Sequence, residues 1–315
     1  MSELRIFYKE GSRIKITRSM TILRDVEQAD LLWIDLNDVS DGVEDELEQF
    51  LKIYIQEEEE MEEIEMSSRY METEDSVVAN TNFLLDNFEE ETVSFIMKSN
   101  ILVTVHDAIL PSFNETAKKL FASPKNYASG YQVLVALLET RVDYDADMIE
   151  NMTREVTTLS NKMKDEDDAS DDILIEIKEL QEKTMLIREN IVDRSRVVSN
   201  LLRCELFPQD AKARLNIIIK DINSLFEHTR FSFDRLEYLQ DTFLGLVNIQ
   251  QNKIMKIFTV VSIVFLPPTL VASMYGMNFA WMPGLDSQFG WAIAMGLMIF
   301  MVCLILLIFK VKKLL

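Results

Sequence analysis

The spacing of apolar positions changes twice along the chain. Between Arg5 and about Leu120 they come in short runs: "RIFY", "RIKITR" and "LLWIDL", then "SVVANTNFLL", "TVSFIMKSN" and "ILVTVHDAI". Turn residues such as Asp86-Asn87 and Ser99-Asn100 separate them. Runs of this length, rich in Ile, Leu and aromatics, predict strands. After Asp41 the apolar residues Val43, Leu47, Phe50, Leu51 and Tyr54 fall at helical spacing and predict an amphipathic helix. The acidic stretch "EEEEMEEIEMSSRYMETED" is helix-prone as far as Ser67. The sum is an α/β domain over residues 1–130, an ordinary domain size.

Beyond Gly130 the period lengthens. From Tyr131 to Asn248 the only proline is Pro208 and the only glycine Gly245. Val133, Leu137, Val142, Met148, Ile149 and Met152 recur at helical intervals. Breaks are expected near "KDEDDASDD" (Lys164 to Asp172) and "LFPQD" (Leu206 to Asp210), where breaker and polar residues cluster. This predicts an acidic helical hairpin over 131–208 and a helix over 209–275 of about 60 residues, or about 90 Å at 1.5 Å per residue. The acidic break lacks the glycine-pinned spacing of a calcium loop and reads as a solvated turn.

The third regime is almost free of charge. After Lys256 the next charged side chain is Asp286. Ile257 to Tyr275 and Phe289 to Phe309 are each long enough to cross a hydrocarbon core of about 30 Å. Lys253 and Lys256 precede the first span, Lys310, Lys312 and Lys313 follow the second, and the 276–288 loop between them has no basic residue. The positive-inside rule places both termini in the cytoplasm and the loop outside. Span two and its basic tail occupy 289–315. The N-terminus has charges throughout and no apolar core, so no secretory signal is expected.

Composition sharpens this picture. A formal net charge of −21 argues against a nucleic-acid partner, because phosphate backbones attract basic surfaces. Cys204 and Cys303 lie in unlike surroundings and make no disulfide framework. No nucleophile–base pair, metal cluster or G-x-x-x-x-G-K-[ST] phosphate loop is present, so neither an enzymatic activity nor a resident cofactor is expected.

Polar atoms are scarce in and just before the first span, and they are ordered. Asn248, Asn252, Thr259, Ser262, Thr269 and Ser273 fall along one helical face. Met255 and Leu266 share the stripe and Phe258 sits at its edge. Such a stripe serves either close packing of membrane helices through small residues or a water-filled lumen built from several copies. Pro267-Pro268 frees the carbonyls of Ile263 and Val264, which then need a cavity with water or a neighbouring hydroxyl.

The stripe ends in "YGMNFAWMP" (Tyr275 to Pro283). The stretch "NIQQNKIMKIFTVVSIVFLPPTLVASMYGMNFAWMPGL" resembles the CorA family of magnesium channels, in the subtype found in enteric bacteria. A Gly-Met-Asn triplet closing a proline-containing span, a Met-Pro-x-Leu loop and a basic-ended second span carry the likeness. It extends upstream through "LVTVHDAILPSF", "GYQVLVALLETRVDYDADMIENM" and "LFPQDAKARLNIIIKDINSL".

The resemblance implies a homopentameric funnel in the inner membrane, with an α/β cytoplasmic domain on a long helical stalk and two transmembrane helices. It implies Gly276, Met277 and Asn278 as the outer selectivity site. Asn248, Asn252, Thr259, Ser262, Thr269 and Ser273 would line the pore, with Met255, Phe258 and Leu266 as its apolar constriction. Lys310, Lys312 and Lys313 would form a basic collar. The bilayer, further copies of the chain, and Mg²⁺ with Co²⁺ and Ni²⁺ are the implied partners, Mg²⁺ being both the transported and the regulatory ion. Asp221 in "KDINSL" is the candidate regulatory residue. The chain departs from the family pattern at Gly284, where a loop glutamate is usual, with Asp286 two residues on.

Two rival readings stand beside this one. The zinc-transporting branch of the superfamily shares the triplet, but zinc favours nitrogen and sulfur ligands, and only His106, His228 and two dispersed cysteines are available. A non-conducting, membrane-anchored helical scaffold or sensor would use the stripe as packing surface.

Overall fold

A computed structural model describes residues 3–56, 69–165, 171–277 and 288–312. The chain divides into two compact units, Met1–Gln240 and Asp241–Leu315. The acidic stretch from Glu57, expected to be helix-prone as far as Ser67, lies outside the described residues apart from its Arg69–Asp75 end.

The first unit is built on a seven-stranded sheet. Its strands are β1 (Glu3–Glu10), β2 (Arg13–Thr17), β3 (Leu31–Asn37), β4 (Tyr70–Glu72), β5 (Ser76–Leu84), β6 (Glu90–Lys98) and β7 (Ile101–His106), in the order β2-β1-β3-β7-β6-β5-β4. β3 and β7 pair in parallel, with Asp35 opposite Thr104 and Asn37 opposite His106; the other pairings are antiparallel. Every residue of β3 and of β7 is buried, as expected for strands covered on both faces.

Alternation along the strands sorts the two faces. Ile6, Ile34, Leu36, Ile96, Val103 and Val105 pack with Leu23 of α1 (Ile22–Asp25) and Leu47 and Leu51 of α2 (Asp41–Leu51). The other face is aromatic. Phe7 stacks on Trp33 with centroids 4.5 Å apart, and Phe113 of α3 (Pro111–Ala122) meets Trp33, Phe83 and Phe95. The strand pattern ending at His106 predicts no helix here, and α3 is an addition to the expected elements. Pro111 at the first helical position was the available signal, overshadowed by the strand pattern just before it.

A polar cluster lies in the same aromatic layer. Asp35 is fully buried and accepts hydrogen bonds from Arg5 Nε (2.8 Å), Thr104 Oγ1 (2.5 Å) and His106 Nε2 (3.1 Å). Burial alone would raise the Asp35 carboxyl, but His106 and Arg5 hold it below the usual carboxylate range.

Two long helices follow, α4 (Gly130–Asp165) and α5 (Asp171–Arg203). The expected acidic break, Lys164 to Asp172, spans the join between them, and residues 166–170 lie outside the described residues. α4 begins hard against the sheet. Gly130 N donates to Asn100 O at 2.6 Å, and a Cβ on Gly130 would fall 2.4 Å from Leu102 N. Only glycine permits that approach.

The hairpin is tied to β5 by buried charges. Arg141 donates through Nε to Asp145 Oδ1 (2.9 Å) and through Nη1 to Leu84 O (2.9 Å). Arg194 pairs with Asp145 Oδ2 and donates to Asn82 O (3.1 Å). Both guanidiniums also lie against the Phe83 ring, at 4.8 and 5.2 Å.

Helix α6 (Gln209–Tyr275) runs 67 residues without interruption. In the first unit it buries Leu215, Ile218, Ile222, Leu236 and Leu239. It is held to α4 by Arg214–Glu139 (2.9 Å), Asp210–Gln132 (2.9 Å) and Arg235–Thr157 (3.1 Å). Arg188 of α5 lies over the Phe226 ring at 5.0 Å. Helix α7 (Gly290–Val311) belongs to the second unit.

Candidate functional site

The second unit contains the apolar part of α6 and all of α7, and both helices are long and apolar enough to cross a membrane. Almost none of that apolar surface is covered within the chain: only 6% of each apolar window is buried. In water such exposure would be unfavourable by about 25 cal/mol per Å², so the surface calls for lipid or further protein.

All six polar positions of the stripe, Asn248, Asn252, Thr259, Ser262, Thr269 and Ser273, lie on α6 and are exposed. So are Met255, Phe258 and Leu266. With 3.6 residues per turn, the six polar residues spread over about 100° of the helix surface. The little burial found in this part of α6 lies elsewhere. Val264 and Val271 are buried and Gln250, Val260, Pro267 and Pro268 partly so; these six sit about 100–200° round from Asn248. The polar stripe is therefore not the face that packs inside the unit.

Two hydroxyls of the stripe are already engaged with their own helix. Thr259 Oγ1 donates to Met255 O (2.7 Å) and Thr269 Oγ1 to Phe265 O (2.8 Å). Each leaves the oxygen's lone pairs facing outward as acceptors. Neither bond reaches the Ile263 and Val264 carbonyls that Pro267 and Pro268 deprive of an i+4 donor. The helix nonetheless continues through both prolines to Tyr275.

At its end the Gly276 N–H donates to Ala272 O (3.0 Å) and Met277 N–H to Met274 O (3.2 Å). A Cβ on Gly276 would sit 3.3 Å from the Ala272 carbonyl oxygen, so the close of α6 is tight. Asn278, the third member of the triplet, lies outside the described residues, as do Gly284 and Asp286.

Lys310 falls in the last turn of α7, and Lys312 caps it with its N–H on Ile308 O (2.9 Å). A cation there also complements the negative end of the helix dipole. Lys313 lies outside the described residues. Asp221 is exposed on α6 in the first unit, apart from the residues of the stripe. Among the described residues no group of three or more His, Cys, Asp or Glu side chains could hold a metal ion. His106, one of the scattered zinc-type ligands, is committed to Asp35 and to Ala108 O (2.7 Å).

Residues 28–313 match the family model of the CorA-like Mg²⁺ transporter protein. A magnesium transport protein CorA of Wolinella succinogenes is 36% identical over 98% of this chain and 99% of its own length. Another, from Campylobacter jejuni, is 34% identical over 90% of each chain. The fold matches the complete structure of a CorA magnesium transporter from Methanocaldococcus jannaschii, with a TM-score of 0.81 at 19% identity over 98% of this chain and 97% of that one. An α/β domain, a long helix and two apolar C-terminal helices are thus common to both. On its full-length sequence likeness, the chain belongs to the family of CorA-like Mg²⁺ transporter proteins.

Proposed function

We propose that this protein conducts Mg²⁺, and with it Co²⁺ and Ni²⁺, into the cell through a path lined by α6 of several identical copies. The observation that carries the reading is the exposed polar stripe from Asn248 to Ser273, set away from the face that α6 buries in its own unit. An uncovered row of amides and hydroxyls in hydrocarbon is costly. Copies arranged round an axis convert it into a wetted wall. Full-length likeness to named magnesium transport proteins supports the choice of ion.

The chemistry of the wall suits a hydrated divalent ion. Mg²⁺ gives up its water shell reluctantly, and conduction needs binding loose enough to release. Amide and hydroxyl oxygens accept hydrogen bonds from the ion's own waters without the grip of a carboxylate ring. Asn278, with Gly276 and Met277, is assigned to the outer ring of a homopentamer. Met255, Phe258 and Leu266 form an apolar constriction below it that closes by dewetting.

Entry of a divalent ion gains about 4.6 kcal/mol per 100 mV of inside-negative potential, twice the single-charge value, so no ATP-driven step is required. The lysines before α6's span and after α7 support a reading with both termini in the cytoplasm, in the inner membrane of a cell that has two. Intracellular Mg²⁺ holds the closed state by bridging carboxylates that would otherwise repel between −21 chains; Asp221 is the candidate contact.

The test is flux into liposomes carrying the full chain, with Mg²⁺ or Zn²⁺ as the only divalent ion and the potential clamped. The native protein passes Mg²⁺ down its gradient without a proton gradient, and Asn278→Ala loses transport or selectivity. Flux of Zn²⁺ but not Mg²⁺ would move the protein to the zinc-transporting branch, and no flux of either would leave the scaffold reading.

A further inference from the structure

A cavity of about 590 Å³ opens where α5 passes Asn82 of β5 and Glu90 of β6, within the first unit. Sites for small molecules usually measure about 300–1,000 Å³. Some of its charges are settled internally. Arg69 pairs with Asp193 (3.0 Å) and donates to Asn82 Oδ1 (3.2 Å). Asp193 also accepts from Thr81 Oγ1 (2.9 Å).

Three lining groups are not settled. Asn190 is only 2% exposed, and its Nδ2 donates to Glu90 Oε1 (2.7 Å) and to Leu186 O (3.3 Å). Both of those partners are acceptors, so the amide cannot be turned over. Its Oδ1 is left without a donor among the described residues, an unfavourable state for a buried acceptor. Glu90 is held by two amides, Asn190 and Asn82 Nδ2 (3.0 Å), and forms no ion pair among the described residues. Arg188 is half-buried with its guanidinium over the Phe226 ring at 5.0 Å, and it too forms no ion pair among the described residues.

We infer that this cavity binds an α-amino acid with an apolar side chain, its ammonium on Glu90 and Asn190 Oδ1 and its carboxylate on Arg188. Met185 and Val192 supply the apolar wall. A carboxylate suits the planar fork of a guanidinium, and an ammonium suits a carboxylate beside an open amide oxygen. An anion alone would leave Glu90 and the orphan oxygen unserved. An amine alone would leave Arg188 so. A water can serve Asn190 but balances neither charge. A divalent ion does not fit, because Arg69 and Arg188 line the same space and no group of three or more His, Cys, Asp or Glu could hold it among the described residues. The exposed Glu189 and Arg196, which also line the cavity, add one charge of each sign and keep the balance.

This inference does not depend on the conduction reading. It is tested by isothermal titration calorimetry of the full chain in detergent, with L-leucine and L-methionine as probes. Two analogues dissect the charges: 4-methylpentanoate is leucine without its amine, and 3-methylbutylamine is leucine without its carboxylate. At least one of the two amino acids is expected to bind. Each analogue should bind about tenfold more weakly or worse, the loss of one charge-assisted contact. Arg188→Gln and Glu90→Gln alter half-buried and exposed positions, should keep the native thermal transition, and should weaken amino-acid binding by a similar factor. Absence of binding by both amino acids overturns the inference. So does an analogue that binds as tightly as leucine, which marks a site for a simple anion or amine. Native affinity in both variants places the binding elsewhere and overturns it as well.

Discussion

Removing Asp145 should destabilise the first unit more than removing Arg194, although the two form one ion pair. Three guanidiniums, Arg69, Arg141 and Arg194, share two carboxylates, Asp145 and Asp193. Arg141, Arg194 and Asp145 are all nearly inaccessible to solvent. Burial, with the like charge of Arg141, pushes the Arg194 pKa down to about 10 against the pull of Asp145, so it remains charged at neutral pH. The cluster thus carries one positive charge in excess.

Asp145→Asn raises that excess to two and leaves two buried cations against one Phe83 ring, a loss of about 3–5 kcal/mol for stranding buried charge. Arg194→Met lowers the excess to zero. It fills similar volume, removes a guanidinium whose Nε has no partner among the described residues, and leaves Asp145 paired with Arg141 at 2.8 Å. Its cost is the bond to Asn82 O and the contact with Phe83, about 1–2 kcal/mol. For a unit of this size about 2–4 °C of Tm corresponds to 1 kcal/mol. Thermal unfolding of the detergent-purified chain by circular dichroism should show Asp145→Asn falling at least twice as far as Arg194→Met. Equal losses, or a larger loss for Arg194→Met, would refute the charge argument.

Three further outcomes follow from the same structure. Gly130→Ala places a methyl 2.4 Å from the Leu102 nitrogen and 2.8 Å from Asn100 O, so β7 must yield; a loss of about 2–4 kcal/mol is expected in the same melt, against a change near zero for Gly42→Ala, where nothing lies within 4 Å. Burial alone would lower the His106 pKa, but the bond to Asp35 and its charge hold it above the usual value. That stabilisation is full below the unfolded pKa of about 6.5 and lost as pH rises through the folded value; Tm should therefore decline from about pH 6.5 upward, and His106→Gln should flatten the slope. Asp35, held low, contributes above about pH 3.9 and loses its contribution as pH falls through its depressed folded pKa. Replacing Leu266 by Asn wets the proposed apolar constriction and should raise Mg²⁺ leak into liposomes several-fold at high internal Mg²⁺.

Local patterns were legible and non-local ones were not. The strands up to His106, α2 and the uninterrupted α6 follow from apolar spacing within a few turns of chain. The α6 stripe was equally readable, because its members sit on a single helix. The parallel pairing of β3 with β7 joins residues about seventy positions apart and has no signature within either strand. Arg141 and Asp145, four residues apart, have the spacing of an ordinary surface pair; only Arg194 and the Phe83 ring, brought in from α5 and β5, make them interior. Asn278 carries its meaning through the triplet and the span before it. The ring proposed for it, like the proposed wall, needs further copies of the chain.

The central claim, that the polar stripe of α6 faces a water-filled path, is tested most directly by cysteine substitution from 248 to 273 in the Cys303→Ser background, read as block of Mg²⁺ flux by a membrane-impermeant thiol reagent. The account predicts block at Asn252, Thr259, Ser262, Leu266, Thr269 and Ser273 and none at Ile257, Val264 or Val271. Block that ignores this periodicity, or that follows the valine face, would contradict it.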